Sequence, residues 1–156
     1  MPAIARAAAT LRFQAPDLDP DEITLALGIQ PDAQQRRHDE IPTSDQLETR
    51  VAKFGMWRLG AVTAEPGDLN QQVADLLARL TQDISTWRRL TSKYKADLFC
   101  GWFMTESNEG EDISPGTLMA LGERGIALAM DIYAPETDAP PSAGADSHRS
   151  GPRGPA

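Results

Sequence analysis

Cysteine is almost absent from this sequence, in which Cys100 is the only one among 156 residues. One cysteine cannot form an intramolecular disulfide, and Cys100 lies in the most apolar run of the chain, which is typical of a core thiol in a reducing compartment. We therefore expect a cytoplasmic protein. A nucleophilic role for Cys100 would require a neighbouring base. Histidine is also scarce, with only His38 and His148, so a core thiol is the favoured interpretation.

Sequence motifs for catalysis and cofactor binding are missing as well. There is no glycine-rich phosphate loop and no cluster of metal ligands, and two histidines leave no Ser-His-Asp candidate. Four acids lie close together but lack the alternating ligands and the sixth-position glycine of a calcium loop: Glu106, Glu109, Glu111 and Asp112. We expect a solvated loop there, with no cofactor and no metal. These observations favour a protein that is not an enzyme.

The sequence has no long apolar segment and no surplus of basic residues. Residues 1–10 contain a short alanine-rich run without the apolar core of a signal peptide, and no stretch approaches the length of a membrane span. Lysine and arginine number 15 against 23 aspartates and glutamates, which gives a net charge of -8. Such a protein is poorly suited to neutralising phosphates, so neither nucleic acid nor a membrane is an expected partner. The charge favours a basic protein partner.

The most informative segment is the apolar run from Ala96 to Thr105, which predicts a central strand. Apolar residues occupy nearly every position, so we expect both faces of the strand to be covered. Gly101 indicates a bulge or a close backbone approach. By alternation, one face carries Leu98, Cys100, Trp102 and Met104, and the other carries Phe99 and Phe103.

Three further strands and three helices are predicted around this strand. The strands cover residues 11–15, 56–62 and 126–133, and the helices cover residues 20–27, 69–94 and 116–124. Asp19 and Ser114 are the expected N-caps of the two short helices, each followed by a proline at the first helical position. Asp68 is the expected N-cap of the long helix. This helix contains poor helix formers at 81–86, where a bend with Asp83 or Ser85 as a new cap is expected.

Residues 30–54 form the least regular part of the sequence, which is polar and interrupted by Pro31 and Pro42. Residues 34–38 indicate a short edge strand, and residues 44–53 indicate a loose helical turn. The segment is too long for a plain connection in a compact domain. It is therefore either functional or mobile.

These elements predict one α+β domain at residues 11–134, with an N-terminal extension at 1–10 and a disordered tail at 135–156. We expect a four- to five-stranded mixed sheet with one long helix and two short helices mainly on one face, ferredoxin-like in the broad sense. Residues 17–20 and 112–115 resemble each other, and each leads into a capped short helix. This echo indicates either an internal duplication or a shared capping pattern.

Four residues are candidates for a binding site. Arg36 and Arg58 could bind an anion, because guanidinium groups match carboxylates and phosphates, although edge-strand protection explains Arg36 as well. Trp57 could line a ligand cleft, but such residues more often belong to the core. Asp131 lies between two apolar residues of the last strand. It could be one of two converging carboxylates in a hydrolase, or it could face solvent.

Five short features occur together in this chain: Leu18-Asp19-Pro20 with Leu27-Gly28, Gly55-Met56-Trp57, the loop at 108–110, Ile113-Ser114-Pro115 and Asp131-Ile132-Tyr133. They resemble the bacterial family known as domain of unknown function 4279, over residues 11–134. The chain departs from the family pattern after Pro31, where the connection is longer and lacks an expected aromatic residue. The family has no established activity, so the resemblance implies domain limits and no mechanism.

The sequence therefore favours a non-enzymatic protein-interaction module, one form of which is an acidic, immunity-like antagonist of a basic partner. The alternative is a small-ligand-binding protein or a small hydrolase with a cleft near Asp131, Arg58 and Trp57. An apolar pocket with converging polar groups at those residues would favour the alternative. A flat acidic surface would favour the interaction module.

Overall fold

The structure is a computed structural model that describes residues 6–135. Its strands form from segments with alternating apolar residues, and its helices form from capped amphipathic segments. The strands are β1 (Arg6–Ala15), β2 (Ala33–Gln35), β3 (Glu40–Pro42), β4 (Thr49–Val51), β5 (Gly55–Gly60), β6 (Lys95–Phe103) and β7 (Ala127–Tyr133). The helices are α1 (Pro20–Leu27), α2 (Leu69–Ala78), α3 (Ile84–Lys93) and α4 (Pro115–Arg124). Within this part of the chain, each helix is too short or too polar to cross a bilayer. The predicted disordered tail lies, apart from Pro135, outside the described residues.

Five strands form one mixed sheet in the order β2-β5-β1-β6-β7, and β3 and β4 form a separate two-stranded hairpin. β1 is antiparallel to both β5 and β6, whereas β6 and β7 are parallel. The strand predicted from Ala96 to Thr105 is confirmed as β6. It is an interior strand that lies next to β1, the middle strand of the sheet. The prediction of an α+β domain with a mixed sheet is likewise confirmed.

One face of the sheet carries the core. The odd-numbered residues of β1 from Ala7 to Phe13 are buried, as are Trp57 on β5 and Leu98 on β6. Phe13 packs edge-on against Trp57 with ring centroids 5.8 Å apart, and it stacks on Trp87 of α3 at 6.3 Å. Each of the four helices contributes buried residues to this single core, which places them on the same face of the sheet.

The opposite face of the sheet has no helix among the described residues, so the covering that was predicted for both faces of β6 comes there from side chains. Arginine side chains from β1 cover its apolar residues instead. Arg12 lies 4.3 Å above the Phe99 ring, and Arg6 lies 3.9 Å above the Phe103 ring. Arginine can bury an aliphatic stem and its planar head against aromatic rings while it remains hydrated, which explains the apolar run of the strand.

The predicted long helix is wrong, because α2 and α3 are separate helices. α2 ends at Ala78, where the Arg79 and Leu80 N–H groups bond carbonyls only three residues back. Asp83 caps α3 by accepting a hydrogen bond from the Ser85 N–H at 3.0 Å. The Trp87 indole donates to the Thr81 carbonyl at 2.8 Å. The poor helix formers thus do more than bend the helix, because their side chains and a cap stabilise a break.

The predicted N-caps Asp19 and Ser114 are confirmed, with Pro20 and Pro115 in the first turn of α1 and α4. The strands around these two helices pair differently. β7 pairs directly with β6, whereas β2 runs parallel to β1 with β5 between them. The capping pattern is therefore the feature that the two halves share most closely.

The boundaries of several elements differ from the prediction. β1 begins at Arg6, so residues 6–10 belong to the sheet rather than to an N-terminal extension. The edge strand expected at 34–38 is β2, at Ala33–Gln35. The helical turn expected at 44–53 is wrong, because Thr49–Val51 forms β4 and pairs with β3. The segment lacks the apolar alternation and the Asn-Gly or Asp-Gly turn that usually indicate a hairpin in a sequence.

Candidate functional site

The four sequence-predicted site residues do not form one cleft. Trp57 is 0% exposed in the core, and its Nε1 donates to Thr24 Oγ1 at 3.0 Å. Arg58, the next residue along β5, projects from the opposite face, where its Cα is paired with that of Arg12. Asp131 lies on β7 at the edge of the sheet, beyond β1 and β6. The three inter-strand steps separate Arg58 from Asp131 by at least about 14 Å.

Asp131 has a local partner. Its carboxylate accepts a hydrogen bond from the Tyr133 hydroxyl at 2.7 Å, and this bond raises the pKa of that phenol. The Tyr133 ring stacks on Phe103 with centroids 4.8 Å apart. Asp131 is exposed and faces no second carboxylate on β6, because its strand partner there is Gly101. This placement agrees with the solvent-facing interpretation and offers no pair of converging acids.

Arg36 is bound by the protein's own acids. Its Nη1 and Nη2 lie 2.6 Å from carboxylate oxygens of Asp19 and Asp21, and Arg37 pairs with Asp17 at the same distance. The hydrogen bond that Arg36 donates to Asp19 is the main reason that the pKa of Arg36 is raised. These contacts connect residues 36–37 with the start of α1. The expected anion site at Arg36 is therefore already occupied by side chains of the chain.

Cys100 lies in the core and is 0% exposed. Burial, with a smaller contribution from the Asp97 charge, raises the pKa of the thiol to about 12. Only a minute fraction is thiolate near neutral pH, so Cys100 is a structural thiol and not a nucleophile.

An acidic cleft lies where the start of α2 meets the loop that precedes α4. We define it by Asp68 and Asp75 of the α2 region, by Glu111 and Asp112 of the loop, and by Gln72 beneath them. Its first cavity, of about 220 Å³, is lined on one side by Asp68, Asp75 and Gln72 and on the other by apolar side chains of Ala61, Val62, Ala64 and Leu76. A second cavity, of about 690 Å³, is lined by Glu111 and Asp112 and also by Asp68. The two cavities adjoin at Asp68.

Local hydrogen bonds orient the carboxylates on α2. Asp68 is the N-cap of the helix and accepts a hydrogen bond from the Gln71 N–H at 3.0 Å. The Gln71 side chain donates to Asp75 one turn later at 2.8 Å. The cap prediction at Asp68 is confirmed, and the same capping places its carboxylate at the junction of the two cavities.

No cationic side chain of the described chain neutralises these acids. Six ion pairs occur among the described residues, and none includes Asp68, Asp75, Glu111 or Asp112. Partial burial raises the pKa of Glu111, and the neighbouring charges of Asp68 and Asp112 raise it further. Arg79 lines the first cavity, but it lies more than 4 Å from each of these carboxylates. The cleft therefore has a surplus of negative charge, with four carboxylates and the single guanidinium of Arg79 in its lining.

Gln72 supplies an unused acceptor at the floor of the first cavity. Its side chain is 5% exposed, and its Nε2 donates to the main-chain carbonyls of Ala7 and Val62, both at 2.9 Å. Its Oε1 is buried and accepts no hydrogen bond. Most buried polar atoms have a partner, so this oxygen is an exception among the buried side chains of the described residues.

A family model described as "Domain of unknown function (DUF4279)" matches residues 5–135. The chain belongs to the DUF4279 family. This finding confirms the resemblance seen in the sequence motifs. No curated protein and no solved structure shows a significant match to the chain.

The acidic cleft of this DUF4279 domain was not predicted from the sequence. Asp68 was expected only as a helix cap, and the acids at 106–112 were expected in a solvated loop. The available signal was the charge of those two segments, which lie far apart in the chain. Asn70 joins them by bonds to Asp112 and Ser114. Across the described part of the DUF4279 domain, no group of three or more His, Cys, Asp or Glu residues is placed to hold a metal ion.

Proposed function

We propose that the protein is a non-enzymatic interaction module that docks a basic protein through the acidic cleft. The observation that carries this proposal is the set of four carboxylates, Asp68, Asp75, Glu111 and Asp112, without an ion-pair partner in the described residues. The net charge of -8 supports it, because a negative surface steers a positively charged partner towards the cleft.

The first cavity fits the side chains that a basic partner would insert. Lysine and arginine have an apolar stem and a cationic head. The apolar wall formed by Val62 and Leu76 suits the stem, and Asp68 and Asp75 suit the head. The unpaired Oε1 of Gln72 would accept one of the donated hydrogens.

An antagonist is the form of interaction module that we favour. A dedicated inhibitor needs fast, charge-steered association with one partner and needs no catalytic groups of its own. We place this activity in the bacterial cytoplasm, where the single buried thiol of Cys100 stays reduced. A broadly ferredoxin-like architecture is also part of the proposal, supported by the segments β1-α1-β2 and β6-α4-β7 of the one mixed sheet.

A charge-matched comparison of variants tests the cleft. The cleft variant carries Asp75→Asn, Glu111→Gln and Asp112→Asn, and it keeps Asp68 so that the cap of α2 stays intact. Fluorescein-labelled octalysine is the probe, and binding is followed by fluorescence anisotropy at low and high salt. We expect the wild-type chain to bind octalysine and the cleft variant to bind at least about tenfold more weakly, because three attractive charges are removed. Higher salt should weaken wild-type binding.

The matched control carries Glu40→Gln, Glu48→Gln and Glu106→Gln, three exposed acids outside the cleft. It changes the net charge by the same amount, so we expect its affinity for octalysine to stay within about twofold of wild type. An equal loss of octalysine affinity in both variants would show that only net charge matters, and it would overturn the acidic cleft as the binding site. A basic host protein retained by wild type and control, but lost by the cleft variant, would identify the partner.

A further inference from the structure

A second cavity system lies on another side of α2, in a groove between α2 and α4. This cavity, of about 260 Å³, is lined by Val73, Ala74, Leu77 and Ala78 of α2, by Gln82, and by Gly116, Thr117, Ala120 and Arg124. Most of its wall is apolar or small. Its only charged side chain is Arg124, which is 7% exposed. A buried guanidinium in an apolar groove is costly unless its donors are satisfied.

Arg124 uses only part of its donor set. Its Nη1 donates to the Ala120 carbonyl at 2.9 Å and to Glu123 at 2.8 Å, and its Nη2 reaches Gln82 at 3.3 Å. Its Nε is buried and has no hydrogen-bond partner. On the edge formed by Nε and Nη2, only Nη2 has a partner, and its bond to Gln82 is the longest of the three.

The same edge of Arg12 shows what it binds. Arg12 Nε and Nη2 donate to the two carboxylate oxygens of Asp97 at 2.7 and 2.8 Å. Two parallel donors match the spacing of two carboxylate oxygens, so this edge is specific for planar anions. In Arg124 no carboxylate of residues 6–135 contacts this edge, because Glu123 contacts Nη1, and the amide oxygen of Gln82 accepts from Nη2.

The start of α4 adds a second feature that favours an anion. The bond from Arg124 to the Ala120 carbonyl shows that the side chain runs back along the helix. The carbonyl that it bonds belongs to Ala120, which is four residues, or about 6 Å along the helix axis, after Gly116. Thr117 N–H is capped by Ser114 and Pro115 has no N–H, so Gly116 carries the first-turn N–H that the cap does not satisfy. Both groups line the same cavity.

We propose that this groove binds a small monocarboxylic acid, with its carboxylate on the Nε and Nη2 edge of Arg124 and its aliphatic body against Val73 and Leu77. The charge of Arg124 is already partly balanced by Glu123, so one added negative charge suits the site better than two. The apolar wall excludes a strongly hydrated anion such as phosphate. The proposal is independent of the acidic cleft and of any basic partner.

Butyrate is the probe, with inorganic phosphate and butylamine as comparisons. Binding is followed in the full chain by ¹H–¹⁵N NMR, which also reports the Arg124 Nε–H resonance. We expect saturable butyrate binding at about 1 mM or tighter and a shift of that resonance, because a ligand of this size can reach such an affinity in a formed pocket. Equal or stronger binding of phosphate or butylamine would overturn the carboxylate class, and no saturable butyrate binding would overturn the site.

Two variants locate the binding. Arg124→Lys keeps the charge but removes the two-donor edge, and we expect at least about tenfold weaker butyrate binding. Ala78→Leu fills the cavity from an exposed position of α2, so it should abolish binding without disturbing the core. Met119→Leu, at an exposed position of α4 outside the groove, should bind butyrate like wild type. If Arg124→Lys does not fold, the Ala78→Leu variant provides the test. Butyrate binding that is retained in Ala78→Leu would overturn the proposal.

Discussion

Asn70, near the start of α2, donates its Nδ2 to the main-chain carbonyl of Asp112 at 2.7 Å. The oxygen of the same amide accepts hydrogen bonds from the Ser114 N–H at 2.9 Å and from Thr117 Oγ1 at 2.7 Å. One side chain thus satisfies three partners outside its own helix. It joins α2 to the loop that carries Glu111 and Asp112, and so it assembles the acidic cleft.

The first prediction is that Asn70→Ala weakens octalysine binding although it removes no charge. The loop loses its bond to α2, and the Ser114 N–H and Thr117 hydroxyl lose their shared acceptor, which should lower the free energy of unfolding by about 1 to 3 kcal/mol. Anisotropy and urea denaturation measure the two effects. Asn108→Ala is the control, because Asn108 is exposed in the same loop. Unchanged affinity in Asn70→Ala would show that the loop needs no such anchor.

The second prediction concerns Glu111, whose pKa is raised above its ordinary value of 4.5 by burial and by Asp68 and Asp112. The stabilisation associated with a raised carboxyl pKa is present below 4.5 and is lost as pH rises through the folded-state pKa. Glu111→Gln cannot ionise, so it should melt at a higher temperature than wild type at pH 7. The difference should vanish near pH 4, where the wild-type carboxyl is protonated. A stabilisation that is equal at both pH values would exclude ionisation as its cause.

The third prediction compares two glycines that end helices with positive φ angles, Gly28 at 78° and Gly125 at 76°. Gly28→Ala meets no atom within 4 Å and should cost about 1 to 2 kcal/mol, the penalty for a left-handed alanine. Gly125→Ala carries the same penalty and also drives its Cβ into Thr91. It should therefore be clearly the more destabilising change in urea denaturation. Equal losses would indicate that Thr91 moves aside freely.

The fourth prediction is that the native protein does not react with a thiol reagent at pH 8. Cys100 is buried, and its pKa is raised to about 12, so almost no thiolate is present and access is blocked. Ellman's reagent should detect no thiol in the native protein and one per chain in concentrated urea. Rapid reaction without denaturant would place Cys100 in a reactive environment and reopen a catalytic role.

Sequence reasoning was most successful for features that depend on neighbours in the chain. Asp19 and Ser114 were expected as N-caps and have this role in the structure, and Asp83 is the cap where Asp83 or Ser85 was expected. A cap satisfies N–H groups two or three residues away, so its signal is local. The alternation of side chains along β6 is local in the same sense. It correctly placed Leu98 and Phe99 on opposite faces of the sheet.

The sequence by itself determined the helix caps, the alternation of residues in the strands and the α+β class, because these follow from residues within a few positions of one another. It also determined the net charge, which is a property of composition alone. Only the tertiary structure decided which residues meet. Trp57 is in the core and Arg58 is on the open face because β5 has a particular register against β1. Asp68 and Glu111 meet because Asn70 joins two distant segments. Strand register and long-range packing depend on the whole chain at once, so no local pattern could have placed the acidic cleft or the groove at Arg124.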